Sequence, residues 1–234
     1  MRMLETLASL ALISLAGYAV WFYASTGDLP LGLGDVLESS TPTRSQGPSP
    51  QAVVNLSESV VEVRTEGLFG YLPVGSGSGV IVEADGGWLI LTASHVLVTD
   101  LVKVRRPGRI QWVVVEVLTQ DPDRDIAVLQ TIGVSELPAV TVPPLASELP
   151  SEGDPVFLVC SQGEEIRRGL FIDTVTRVGG AVNMFTTVSS EPGCSGGPVV
   201  NHKGELLGIA IQGSEDSTLG VAVDGDLFAS FQDQ

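Results

Sequence analysis

From Ala52 onward the chain is a succession of short β-prone runs separated by turn residues, and this limits the fold more than any other feature. Val60-Val-Glu-Val-Arg64 comes first. Gly79-Val-Ile-Val82 and Trp88-Leu-Ile-Leu91 follow, with Asp85-Gly86 between them, a dipeptide suited to the positive φ of a hairpin turn. Further runs cover residues 101–104, 111–118, 126–131, 156–159, 170–176, 181–188, 206–211 and 219–223. Only residues 225–231 could make a helix, at the very end of the chain. Many short strands at regular spacing predict an all-β barrel or sandwich. Residues 137–150 carry four prolines and interrupt the strand pattern, so they read as a connector between two β units.

The region before Ala52 is different. Residues 7–24 are almost wholly apolar and end in Trp21-Phe22-Tyr23, an aromatic cluster of the kind found at a membrane interface. The run is long for a signal peptide, and three bulky rings are a poor approach to a cleavage site. Residues 1–24 are therefore expected to form an uncleaved transmembrane anchor; if the segment were cleaved, the protein would be secreted. Arg2 precedes the span and Asp28 and Asp35 follow it, which puts the remainder outside the cytoplasm. Residues 25–51 are rich in Gly, Pro, Ser and Thr without periodicity, a flexible tether with an end-to-end distance of roughly 25–30 Å.

Charge and metal-ligand counts exclude several functions. Twelve Lys and Arg against 28 Asp and Glu give a net charge of -16, the wrong sign for a nucleic-acid partner. Two cysteines and two histidines cannot build a zinc ribbon, so no metal and no cofactor are expected.

The chemistry gathers at three places. Glu191-Pro-Gly-Cys-Ser195-Gly-Gly-Pro198 sets a serine among glycines, where a turn can present a hydroxyl and bare amides to one point. Alone, such a stretch is equally a tight turn between strands. Thr92-Ala-Ser-His95-Val96 follows directly from a strand and can project the histidine from a rim. Asp121-Pro-Asp-Arg-Asp125-Ile-Ala-Val-Leu129 puts three aspartates beside a strand, with Asp125 abutting it and Asp121 and Asp123 in the turn. Ser195, His95 and Asp125 together supply a nucleophile, a base and an orienting acid.

These motifs, with Gly75-Ser-Gly-Ser-Gly79-Val, resemble the trypsin-like serine peptidases, and within them the Deg/HtrA branch. The order His, Asp, Ser matches, over about residues 52 to 231. An α/β esterase would place its histidine last. The resemblance implies two six-stranded antiparallel β-barrels in a domain over 52–234: barrel 1 at about 52–136, the connector at 137–150 and barrel 2 at about 151–231. It is to the protease domain alone, without the PDZ module that often follows. It implies a serine endopeptidase acting on peptide or protein substrates, with His95, Asp125 and Ser195 as the triad and the N–H groups of Gly193 and Ser195 as the oxyanion donors. The rival is a pseudoprotease of the same fold that binds peptides without turnover.

By the same resemblance Ser189 forms the base of the primary substrate pocket, with Gly213 and Gly220 in its walls. An uncharged base between two glycines predicts a medium or large apolar side chain there. Glu191 and the loop 213–218 add acid nearby. Cys194 departs from the Asp or Asn usual before the nucleophile, which removes the partner of a freshly cleaved amino terminus. Family alignment brings Cys160 near this loop. The pair stays open between a disulfide bracing the turn and two separate buried thiols. His202 is expected in a hairpin turn with no catalytic part.

Overall fold

The computed structural model describes residues 56–67, 72–84, 87–132, 142–162, 166–177, 181–214 and 216–223, all inside the unit Gln46–Gln234. The expected anchor, the tether, the Asp85-Gly86 turn and the terminal helix at 225–231 lie outside the described residues. Among the described residues no helix is long and apolar enough to cross a membrane.

Among the described residues, twelve strands form two closed antiparallel barrels of six. The first contains β1 (Val60–Glu66), β2 (Pro73–Ala84), β3 (Gly87–Thr92), β4 (Val102–Arg105), β5 (Val113–Asp121) and β6 (Ile126–Thr131), in the order β1-β2-β3-β6-β5-β4. The second contains β7 (Pro155–Val159), β8 (Ile166–Thr176), β9 (Val182–Thr186), β10 (Pro198–Asn201), β11 (Leu206–Gly213) and β12 (Thr218–Ala222), in the order β10-β11-β12-β9-β8-β7. Closure leaves no free sheet edge, which an all-β chain must otherwise shield. β1 pairs with β4 through Glu62↔Arg105 to Thr65↔Val102, and β10 with β7 through Val199↔Leu158 to Asn201↔Val156.

Strands at the junction are buried on both faces. Along β7, Val156, Leu158 and the following Cys160 belong to the interior of the second barrel, whereas Phe157 and Val159 join a cluster shared with the first. β10 divides likewise, Val199 one way and Val200 the other. That explains why these runs lack apolar–polar alternation: neither face meets water. The shared cluster runs from Leu91 and Leu129 in the first barrel to Leu206 and Ile209 in the second.

Three strands depart from the sequence reading. β10 is four residues long and begins at a proline, so Val199-Val200 is its whole apolar signal. Proline is tolerated there because it occupies the first strand position. β2 starts at Pro73, not Gly79, and takes in the Gly75-Ser-Gly-Ser run. Glycine is needed there for space: a Cβ on Gly77 would lie 2.7 Å from the Ser195 carbonyl oxygen and from a Val96 methyl. Tertiary packing has overridden local propensity. β8 begins at Ile166, four residues before the predicted run.

Leu129 is fully buried in the shared cluster. Leu129→Ala is expected to cost about 2–5 kcal/mol, read from the denaturant midpoint at unchanged slope. A loss below about 1 kcal/mol would mean that the site collapses around the deletion or is not part of the core.

Candidate active site

β3 ends at Thr92, and the chain turns through a single 3-10 turn, Ser94–Val96, which carries His95. Asp125 closes the turn between β5 and β6. Within that turn Asp121 Oδ1 accepts the N–H groups of Asp123 and Arg124, at 3.0 Å each. Asp125 itself has φ +58°, the one positive φ outside glycine among the described residues. Asp tolerates that region better than most side chains do.

The conformation aims Asp125 at the histidine turn. Its main-chain carbonyl accepts the Ser94 N–H at 3.3 Å. Oδ1 accepts the His95 main-chain N–H at 2.9 Å, and Oδ2 lies 2.8 Å from Nδ1 of the ring. A carboxylate only accepts, so Nδ1 carries the hydrogen and Nε2 keeps its lone pair. The hydrogen bond to Asp125 raises the His95 pKa above the ordinary 6.5; partial burial opposes this and the Asp125 charge adds to it. Sequence reasoning missed a further support. Gln120 Nε2 donates to the Ser94 carbonyl at 3.1 Å and to its hydroxyl at 3.0 Å, yet no motif marks a glutamine beside Asp121.

The Ser195 turn is fixed mainly through its main chain. The Cys194 N–H donates to the Glu191 carbonyl at 3.0 Å, the Gly197 N–H to the Cys194 carbonyl at 2.8 Å, and the Gly196 N–H to the Ala210 carbonyl at 2.6 Å. From the first barrel, Ser78 donates its N–H to the Ser195 carbonyl at 2.7 Å and its hydroxyl to the Gly193 carbonyl at 2.6 Å. The three carbonyls of Gly193, Cys194 and Ser195 are thus all engaged. Among the described residues none accepts from the N–H of Gly193 or of Ser195. Gly193 at φ +100° and Gly196 at φ +85° make this course possible. A Cβ on Gly196 would lie 2.1 Å from the Ser78 carbonyl oxygen and 2.9 Å from the Ala93 nitrogen. The serine turn is therefore packed onto the segment that leads into His95.

Cys160 and Cys194 are joined by a disulfide, both buried in the core of the second barrel. Of the residues expected at the primary pocket, Gly213 lies against Ser190: a Cβ on it would lie 2.2 Å from Ser190 Cβ. The Ser190 N–H donates to the Ser214 carbonyl at 2.7 Å. Gly220 sits between Ala210 and Met184 in the sheet. Glu191 is exposed and ion-paired with Arg167 of β8, so its charge is partly offset. His202 lies in the turn between β10 and β11, where Asn201 Oδ1 accepts from Lys203 and Glu205.

The family profile of the trypsin-like peptidase domain matches residues 77–209, more than half the chain and all three sites just described. The chain belongs to this family. It is similar to the serine endoprotease DegS of Escherichia coli strain K12 and of Escherichia coli O157:H7, at 32% identity over 163 residues in each case. Those matches cover 65% of this chain and 44% of the relative, so the chain spans less than half the length of the curated relatives it matches. Within the family the likeness is to the Deg/HtrA branch.

The disulfide joins cysteines 34 residues apart. Loop closure in the unfolded chain accounts for roughly 4 kcal/mol at that spacing. Complete reduction is expected to lower the melting temperature by about 8–15 °C in calorimetry. An unchanged melting temperature, with two thiols titrated after reduction, would show that the bond does not stabilise the fold through loop closure.

Proposed function

We propose that this protein is a serine endopeptidase in which Ser195 is the nucleophile, His95 the general base and Asp125 its orienting acid. The reading is carried by one observation: a histidine held by a carboxylate at both its main-chain N–H and Nδ1, beside a serine turn packed on the same corner. Membership of the family supports it further.

Ser195 Oγ forms a bond to the peptide carbonyl carbon while its proton passes to His95 Nε2, and the carbonyl π pair moves onto oxygen. The N–H groups of Gly193 and Ser195 stabilise that oxyanion, a contribution of about 3–4 kcal/mol per donor. Collapse breaks the C–N bond, and His95 returns the proton to the departing amine. Water then adds to the acyl-enzyme by the same route, its proton going to His95, and the acid leaves as Ser195 regains its hydrogen.

Location and specificity are part of the proposal. Residues 7–24 anchor the chain, with the protease domain on the extracytoplasmic side, periplasmic or extracellular. The disulfide supports that side, because such bonds persist in oxidising compartments. At the primary pocket an uncharged Ser189 favours an apolar side chain. The contact of Ser190 with Gly213 argues for a small or medium one, not the large one that two facing glycines would admit.

The test is peptide hydrolysis by the wild-type chain and by Ser195→Ala. Turnover abolished in the variant supports the reading, whereas peptide binding without Ser195-dependent turnover would establish the pseudoprotease instead. A general base must be neutral, so kcat/KM is expected to rise with pH through a midpoint above 6.5. Asp125→Asn removes both influences that raise the histidine and leaves burial, which lowers it. Its midpoint should fall, with kcat reduced about 10⁴-fold, the size of this effect in the family's triad. A wild-type midpoint below that of Asp125→Asn would contradict the assignment.

A further inference from the structure

Among the described residues, Ser78 is the one residue of the first barrel that hydrogen-bonds the serine turn through both main chain and side chain. It is fully buried in β2, and its own carbonyl accepts the Thr92 hydroxyl at 2.7 Å. The N–H bond to the Ser195 carbonyl is available to any residue except proline at this position. The hydroxyl is what the sequence adds.

Its orientation follows from its partners. The Gly193 carbonyl, 2.6 Å away, can only accept, so the hydroxyl hydrogen points to it. The Ser78 oxygen accepts the Ser161 N–H at 2.8 Å, and the Ser161 hydroxyl oxygen lies 3.0 Å away. Ser161 also reaches the Gly77 carbonyl at 3.3 Å, which ties this corner of the second barrel back to β2. Ser161 directly follows Cys160, and Gly193 directly precedes Cys194, so this polar node lies alongside the disulfide.

We propose that the Ser78 hydroxyl is a positioning residue for the oxyanion donors, a role that rests on the hydrolase reading above. Holding the Gly193 carbonyl from the first barrel, opposite the Cys194 N–H that the Glu191 carbonyl holds, fixes the plane of the Gly193–Cys194 peptide. With φ of Gly193 at +100°, the preceding plane, which carries the Gly193 N–H, takes its direction from it. The other end of the Gly193–Cys194 plane is held within the turn, by the Cys194 N–H on the Glu191 carbonyl at 3.0 Å, while the disulfide restrains only the Cys194 side chain. Without the hydroxyl the partly buried carbonyl loses its donor. The turn then relieves it by rotating toward water, which carries the Gly193 N–H off the line of the developing oxyanion.

The experiment follows labelling of the 234-residue chain by a fluorophosphonate probe, separating the maximal rate, kinact, from the half-saturating concentration, KI. Ser78→Ala and Ser78→Gly remove the hydroxyl, and Ser78→Thr keeps one. Both removals are expected to lower kinact roughly 10- to 100-fold, the scale set by a misplaced catalytic contact, with KI and the pH midpoint unchanged. Ser78→Thr should recover most of the rate. Wild-type kinact in Ser78→Ala or Ser78→Gly, whatever happens to the melting temperature, would reduce Ser78 to a structural role and overturn the proposal. Loss of the rate in Ser78→Thr alongside native circular dichroism would overturn it as well. If one variant fails to fold, the other two decide. Failure of the hydrolase reading looks different: the wild-type chain would then show no labelling that Ser195→Ala abolishes, and the positioning role would fall with it.

Discussion

A carbonyl group taken out of water needs a donor, and this requirement shapes the junction between the two barrels. The serine turn presents three consecutive carbonyls to a packed interior. Ser78 satisfies two of them from the first barrel, and the Gly197 N–H satisfies the third from within the turn. Among the described residues the N–H groups of Gly193 and Ser195 have no acceptor. Close approach makes the arrangement possible. Gly77 and Gly196 each lack the Cβ that would strike the opposing main chain.

Much of this was legible in the sequence, and unevenly so. Eleven of the twelve strands appear as β-prone runs, because valine and isoleucine repeat where a barrel wall needs them. β10 escaped because four residues beginning with proline give too little signal. The glycine run before Val80 escaped because its strand conformation is imposed by packing against Val96 and Ser195. His95 and Asp125 could be picked out as candidates, but not the geometry that joins them. That geometry depends on a positive φ at Asp125 and on Gln120, and neither leaves a motif. Ser78 and Ser161 were illegible for a related reason. Each looks like an ordinary small residue until the fold brings positions 83 apart into contact.

The cysteine pair shows how one departure from the family's usual pattern changes the local physics. The residue before the serine is ordinarily Asp or Asn, and a cysteine there offers no ion-pair partner. Here its sulfur is bonded to Cys160 among buried apolar side chains, so the turn is braced with no charge to bury. Surface charge does far less. Arg64 and Arg105 stack on Trp112 at 5.3 and 4.4 Å, and Arg105 pairs with Glu62 at 2.8 Å. Half-exposed pairs of this kind contribute about 1 kcal/mol or less. They order the outer face of the first barrel without holding the two barrels together.

The central claim is that the histidine–aspartate pair of one barrel activates the serine of the other. The most direct measurement is peptide mapping by mass spectrometry after fluorophosphonate treatment of the wild-type chain and of His95→Ala. A single adduct on Ser195 in the wild type, lost in His95→Ala while its circular dichroism stays native, is the expected result. An adduct on another residue, or equal labelling of Ser195 without His95, would contradict the account.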